Sequence, residues 1–229
     1  FSWLGNASRT RDMLYMRTDA PFKTIEDVRN AKEPPKCGAT GTGTTGFLVP
    51  RLLEETIGAK FTIVTGYKGG NEVDLAVERG EIQCRAFSVT AFFAREPFHT
   101  WRKNNFARAI IQMGEKRDSR LADVPTHNEL MERYKTPDIG RRVAPIVTAS
   151  EIFQRPYMGP PAMRPEQVKI LREAFHRTLK DSAFLEEVKS KKLDAEYTSG
   201  EEMEAMAKEM MSQRPEVVDR LKKVLGTAG

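Results

Sequence analysis

A chain of 229 residues with 39% hydrophobic content can bury a substantial core, as one large domain or two small ones. Its formal charge of +5 favours anionic partners, but acids and bases are interspersed throughout, so nucleic acid is not specifically indicated. No apolar run approaches the roughly 18 residues of a membrane span, and no charged start with an apolar core marks a signal peptide. The opening Phe1-Ser2-Trp3-Leu4-Gly5, without an initiator Met, predicts that a segment ahead of it has been removed or is not included in this chain.

Residues 12–17 read as a strand, punctuated by Asp19-Ala20-Pro21-Phe22. Thr24 is a reasonable N-cap for a helix with Ile25, Val28 and Ala31 on one face, stopped by Pro34-Pro35. The stretch Cys37 to Gly46 then packs four glycines and four threonines into ten residues, ahead of an apolar run at Phe47, Leu48, Val49, Leu52 and Leu53. That order predicts strand, glycine loop and helix start. The unpaired amides of a first helical turn, with threonine hydroxyls beside them, suit phosphate or carboxylate. Gly41, Gly43 and Gly46 spell G-x-G-x-x-G, yet neither the preceding apolar strand nor the later ribose-binding acid of a dinucleotide site is present. A Walker loop is excluded because Phe47 and Leu48 stand where Lys and Ser/Thr are required. A glycine turn that tightens a junction without holding a ligand remains an alternative.

Gly58 closes that helix, and Phe61 to Thr65 forms a β-branched strand leading into a second glycine loop, Gly66-Tyr67-Lys68-Gly69-Gly70-Asn71. A helix with Val73, Leu75, Ala76 and Val77 follows, then a strand at 82–87. This alternation predicts a parallel sheet whose two glycine loops and Arg85 to Ser88 share the ligand-binding end of the strands. Residues 89–106 interleave Phe92, Phe93, Phe98, Trp101 and Phe106 with Arg95, Arg102 and Lys103, which read as a helix and loop over the sheet rather than a nucleic-acid surface. A strand is expected at 107–113 and another at 153–158. Helices follow, one from Pro165, one opened by a Ser199/Glu202 capping box above Met203, Met206 and Met210, and one from Pro215. His99, His127 and His176 lack metal-type spacing, and no nucleophile or zinc motif appears, so neither catalysis nor a cofactor is expected. Cys37 and Cys84 are expected as buried, unpaired thiols on neighbouring parallel strands.

Trp3-Leu4-Gly5, Lys23 to Val28, Gly38 to Thr45, Val64 to Gly70, Val77 to Ile82, Asp123 to Thr126 and Tyr157 to Pro165, in that order, resemble the solute-binding receptors of bacterial tripartite tricarboxylate transporters. The resemblance covers essentially the whole chain. It implies an α/β, type II periplasmic-binding-protein-like fold of two Rossmann-like lobes closing on a carboxylate. It further implies that about the first third of such a receptor is missing here. Lobe 2 would span 19–150, and 1–18 with 151–229 would be the remainder of lobe 1. Family members commonly carry an aspartate just after the strand corresponding to 82–87, a region marked here by Arg85 and Ser88.

The function implied is a non-enzymatic periplasmic receptor, made with a signal peptide in its precursor. It captures a small organic carboxylate and delivers it to membrane subunits without itself entering the membrane. The alternative is a nucleotide- or phosphate-binding α/β enzyme using the Gly41–Gly46 loop. The expected ligand set is Thr40, Gly41, Thr42, Gly43, Thr44 and Thr45 around one carboxylate, with Tyr67, Gly69 and Gly70 opposite. Arg85 is a second anchor or the partner of a structural acid such as Glu81. Ser88, and Asn6 and Ser8 from the other lobe, complete the set.

Overall fold

A computed structural model describes all residues except 10, 154, 192 and 227–229. In chain order the elements are β1 (Ser2–Asn6), β2 (Asp12–Arg17), α1 (Ile25–Arg29), β3 (Lys36–Gly38), α2 (Thr45–Ile57), β4 (Thr62–Val64) and α3 (Gly70–Glu78). There follow β5 (Cys84–Ser88), α4 (Val89–Ala94), α5 (Phe98–Lys103), β6 (Ala107–Gln112), a short 3-10 turn (Ser119–Leu121), α6 (His127–Arg133), α7 (Asp138–Val147) and α8 (Ser150–Phe153). The chain finishes with β7 (Tyr157–Gly159), α9 (Pro165–Thr178), α10 (Ser182–Ser190), β8 (Thr198–Ser199), α11 (Gly200–Met211) and α12 (Pro215–Leu225). They form two units, unit 1 from Phe1–Thr10 and Ala149–Arg214, and unit 2 from Arg11–Thr148 and Pro215–Gly229.

Unit 2 is built on a five-stranded sheet in the order β4-β3-β5-β2-β6. β3 runs parallel to β4 and to β5, while β2 lies antiparallel between β5 and β6. Both faces are covered, so Met13, Leu14, Tyr15 and Met16 are all fully buried, alternating between two clusters. Leu14 and Met16 pack with Leu52 and Leu53 of α2, Leu130 of α6, Val143 of α7 and Val217 of α12. On the other face Met13 and Tyr15 meet Val73 and Val77 of α3, with Phe92, Phe98 and Trp101. The Tyr15 ring lies 5.8 Å from Phe92 and 5.7 Å from both Phe98 and Trp101, centre to centre. The aromatic residues of α4 and α5 are thus packing, as their amphipathic spacing predicts.

Unit 1 holds an antiparallel sheet in the order β7-β1-β8. Its boundaries fall at 10/11, 148/149 and 214/215, so β2 and α12 belong to unit 2 rather than with β1 and the C-terminal helices. Phe153 ends α8 and meets Trp3 edge-on at 5.2 Å, so the strand expected from 153 is confined to Tyr157–Gly159; Gln154 lies outside the described residues. Among the described residues, Leu179 and Met203 alone of this unit's larger apolar side chains are buried, whereas Phe1, Tyr157, Met158, Ile170, Leu171, Leu185, Leu193 and Met211 are exposed.

One expectation is overturned inside the sheet. Cys37 and Cys84 do sit side by side on parallel strands and are fully buried, but they are joined in a disulfide. Their Cα atoms are 4.5 Å apart, within the reach of a disulfide, so this parallel register brings the sulfurs together where unpaired thiols were expected. The bridge closes a sequence separation of 47 residues.

His127, at the start of α6, is buried against α2 with its Nε2 2.7 Å from the Thr56 hydroxyl. That hydroxyl donates to the Leu52 carbonyl at 2.6 Å, so it accepts from a protonated Nε2. Burial lowers the imidazole from 6.5 to about 4. The folded form therefore binds the proton less readily than the unfolded chain, and stability is present above about pH 6.5 and lost as pH falls toward 4. In denaturant unfolding at stepped pH, wild type should lose about 3 kcal/mol relative to His127→Gln over that window, the difference isolating the imidazole from carboxyls that titrate in the same range. Reducing the disulfide, or replacing both cysteines by Ala, should lower unfolding stability by about 2–4 kcal/mol at neutral pH, measured in the same way.

Candidate functional site

The parallel pairing of β3 with β4 and β5 sends three strands out of the sheet at one end, each into a loop that starts a helix. Gly38 ends β3, and the amide of Ala39 is tied to the Val64 carbonyl of β4 at 2.9 Å. The chain then turns through Gly41 to Thr44, where the Thr44 amide and hydroxyl both donate to the Gly41 carbonyl, at 3.3 and 2.7 Å. Thr44 is the N-cap of α2, yet its side chain caps no amide, and no acid lies in the helix's first turn. The first amides of this 13-residue helix are therefore left to its dipole end without a side-chain acceptor.

The glycines of this loop differ in why they are there. A Cβ on Gly46 would lie 2.9 Å from the Gly38 carbonyl oxygen and 3.2 Å from the Ala39 Cα, so α2 can start directly on the end of β3 only with glycine here. A Cβ on Gly41 or Gly43 would meet nothing within 4 Å. Thr42 and Gly43 are exposed, and Thr40, Gly41, Thr44 and Thr45 are half-buried.

The second loop adjoins the first through the β3 end. The Tyr67 ring comes within 3.5 Å of where a Gly38 Cβ would be, and burial, then the nearby Glu81, raises its phenol. Gly69 is the N-cap of α3, again without a side-chain cap, and Gly69 and Gly70 are half-buried. The Glu72 carboxylate reaches back to the Lys68 amide at 2.8 Å. At the third loop, Ser88 caps α4 by accepting from the Ala91 amide at 3.1 Å.

Several expected site residues are engaged internally. Arg85 is buried, donates to the Gly70 carbonyl at 3.1 Å and pairs with Asp74 rather than Glu81. Tyr15 also donates to Asp74, at 2.9 Å, so the guanidinium is neutralised beneath the loops. Thr45 Oγ1 donates to Asp12 Oδ2 at 3.3 Å, which leaves the Thr44 and Thr45 hydroxyls as poorer donors for a ligand than their amides. In unit 1, Asn6 is buried, its Nδ2 donating to the carbonyls of Ser8 and Ile152 at 2.8 and 2.5 Å, while Ser8 is half-buried.

Asp12 and Asp74 were missed. Asp74 lies on the buried side of α3 where Leu75 was expected, and Leu75 is exposed. Asp12 opens β2 opposite Ser88, so the antiparallel direction of β2 carries its first residue to the same end as the three loops. Burial is the larger influence on its carboxyl and the Thr45 hydroxyl the smaller, opposing one, leaving it raised from 3.8 to about 7. Among the described residues no cluster of His, Cys, Asp and Glu suits a metal ion.

The solved structures that share this fold include a TctC solute-binding protein from Polaromonas without ligand, with a TM-score of 0.68 and 18% identity over 96% of this chain and 70% of that one. An R. palustris protein with adipate aligns at TM-score 0.62 and 16% identity, covering 99% of this chain and 69% of its own. MatC from Rhodopseudomonas palustris, with bound malate, aligns at TM-score 0.59 and 16% identity, covering 98% and 69%. No curated protein sequence matches the chain. The model of the tripartite tricarboxylate transporter family receptor, TctC, matches residues 4–222, and the chain belongs to that family.

Proposed function

We propose that this protein is a periplasmic, non-enzymatic receptor that captures a small organic carboxylate at the loop end of unit 2 and delivers it to membrane subunits of a tripartite tricarboxylate transporter. The observation that carries this reading is the uncapped amino end of α2, set beside the Tyr67 and Gly69-Gly70 loop with no acid in its first turn. Such an end holds an anion by amides and dipole, with no free guanidinium required. The ligand set proposed is the amides from Gly41 to Thr45 with Thr40, facing Tyr67, Gly69, Gly70 and Ser88. Arg85 acts as a support through its bond to the Gly70 carbonyl. Family membership and the adipate and malate in two neighbours favour a carboxylate, and a buried disulfide suits an oxidising compartment.

Unit 2 is read as a whole lobe and unit 1 as part of another. The near absence of buried apolar side chains in unit 1, and its open cavity of about 590 Å³ between Phe1, Met163, Val168 and Arg172, support that reading. So does the chain's span of about 70% of its structural neighbours.

Thermal-shift titration of the 229-residue chain with malate, adipate and nucleotides tests the function, since a ligand of the native state raises its stability. Carboxylates should shift the midpoint; a shift by nucleotides alone would overturn the reading. Thr44→Asp places a carboxylate at the N-cap. It should stabilise the unliganded fold by about 0.5–1 kcal/mol while weakening carboxylate binding tenfold or more, measured by unfolding and calorimetry respectively.

A further inference from the structure

We propose that Asp74 is a positioning residue for the carboxylate site, acting through Arg85 to aim the first amides of α3 at the ligand. This rests on the reading of the α2 amino end and the Gly69-Gly70 loop as the anion site. Arg85 Nη1 donates both to Asp74 Oδ1 and to the Gly70 carbonyl, the latter at 3.1 Å. That nitrogen carries two hydrogens at a fixed angle in a planar group, so the bond to Asp74 decides where the second one points.

The surroundings hold that geometry in place. Tyr15 donates to the same Oδ1 at 2.9 Å, the Phe87 ring centre lies 4.2 Å from the guanidinium carbon, and Asp74 and Arg85 are 3% and 7% exposed. A Cβ on Gly70 would stand 2.7 Å from Arg85 Nη2, so glycine is what lets the guanidinium come up under the loop. The Gly70 carbonyl and the Asn71 amide are opposite edges of one rigid peptide plane. Holding the carbonyl inward therefore turns the Asn71 amide, and the Gly70 amide before it, toward the open end of α3, where Gly69 at the N-cap has no side chain to occupy them. Asp74 also cancels the charge of Arg85, which separates this role from that of an anion anchor. The pair reaches the ligand through the backbone and not as a cation.

Calorimetry of the 229-residue chain with malate and with adipate, joined to the amide resonances of nitrogen-labelled protein, tests this. In wild type a bound acid should move the Gly70 and Asn71 amide signals together with those from Gly41 to Thr45. Asp74→Asn leaves Arg85 charged, and it should bind no more tightly than wild type. Asp74→Asn combined with Arg85→Met removes both charges together and keeps an acceptor for Tyr15, so no charge is left buried alone. This double variant should bind about tenfold more weakly, the size of a lost bond to a charged group. Its Gly70 and Asn71 signals should no longer respond, while those of Gly41 to Thr45 still do. Gly70→Ala keeps every charge, and its Cβ meets a guanidinium that Asp74 and Phe87 hold in place. It should show the same two losses, and it decides the matter should unfolding curves find the double variant unfolded. Tighter binding by Asp74→Asn, or wild-type affinity and amide response in a folded double variant or in Gly70→Ala, overturns the proposal while leaving the carboxylate site standing. So does a wild type that binds acid without moving Gly70 and Asn71. If neither acid binds wild type, the site reading fails and Asp74's role fails with it.

Discussion

The parallel register of β3 between β4 and β5 is the constraint on which the candidate site depends. It forces three outgoing segments to one end of the sheet, and each must then begin a helix within a few residues. The tightest of these exits is the first, where α2 starts so close to β3 that Gly46 faces the Gly38 carbonyl. The inserted antiparallel strand β2 adds a contribution of opposite sense. Its outgoing end lies away from the loops, but its incoming end delivers Asp12 among them.

Electrostatics at this end are dominated by backbone rather than by side-chain cations. The Arg85 guanidinium is held by Asp74, with Tyr15 on the same carboxylate, in surroundings where an unpaired charge would be strongly unfavourable. Two phenylalanines are also lined with guanidinium groups, Phe87 by Arg85 and Arg95 and Phe93 by Arg102 and Arg120. These contacts anchor long cationic side chains along the aromatic layer of α4 and α5.

Local signals were read well wherever the physics is local. The bounds of β2, the N-cap at Thr24, the capping box at Ser199, and Pro165 at the head of α9 each rest on a few adjacent residues, and the structure shows them as expected. Strand direction, by contrast, is set by distant partners, so nothing in residues 12–17 announces that Asp12 faces the glycine loops. The same holds for Cys37 and Cys84: adjacency was foreseeable from the βαβ order, but bonding depends on a Cα separation that only the packed sheet defines. Arg85 and Asp74 stand eleven residues apart on different elements, and each alone reads as a surface or site residue. The return of α12 to unit 2, after a run of helices in unit 1, carries no local mark in the sequence.

That return has a consequence for how the molecule is made. Val217 and Val224 fill places in the core formed by α2 and α7, and Arg220 pairs with Glu55 of α2. A chain emerging from its amino end presents β2 to α7 long before these residues exist, so one face of the sheet stays incomplete until residues 215–225 arrive. Completion of unit 2 therefore waits for residues 215–225 and is not reached by its own first 138 residues, Arg11 through Thr148.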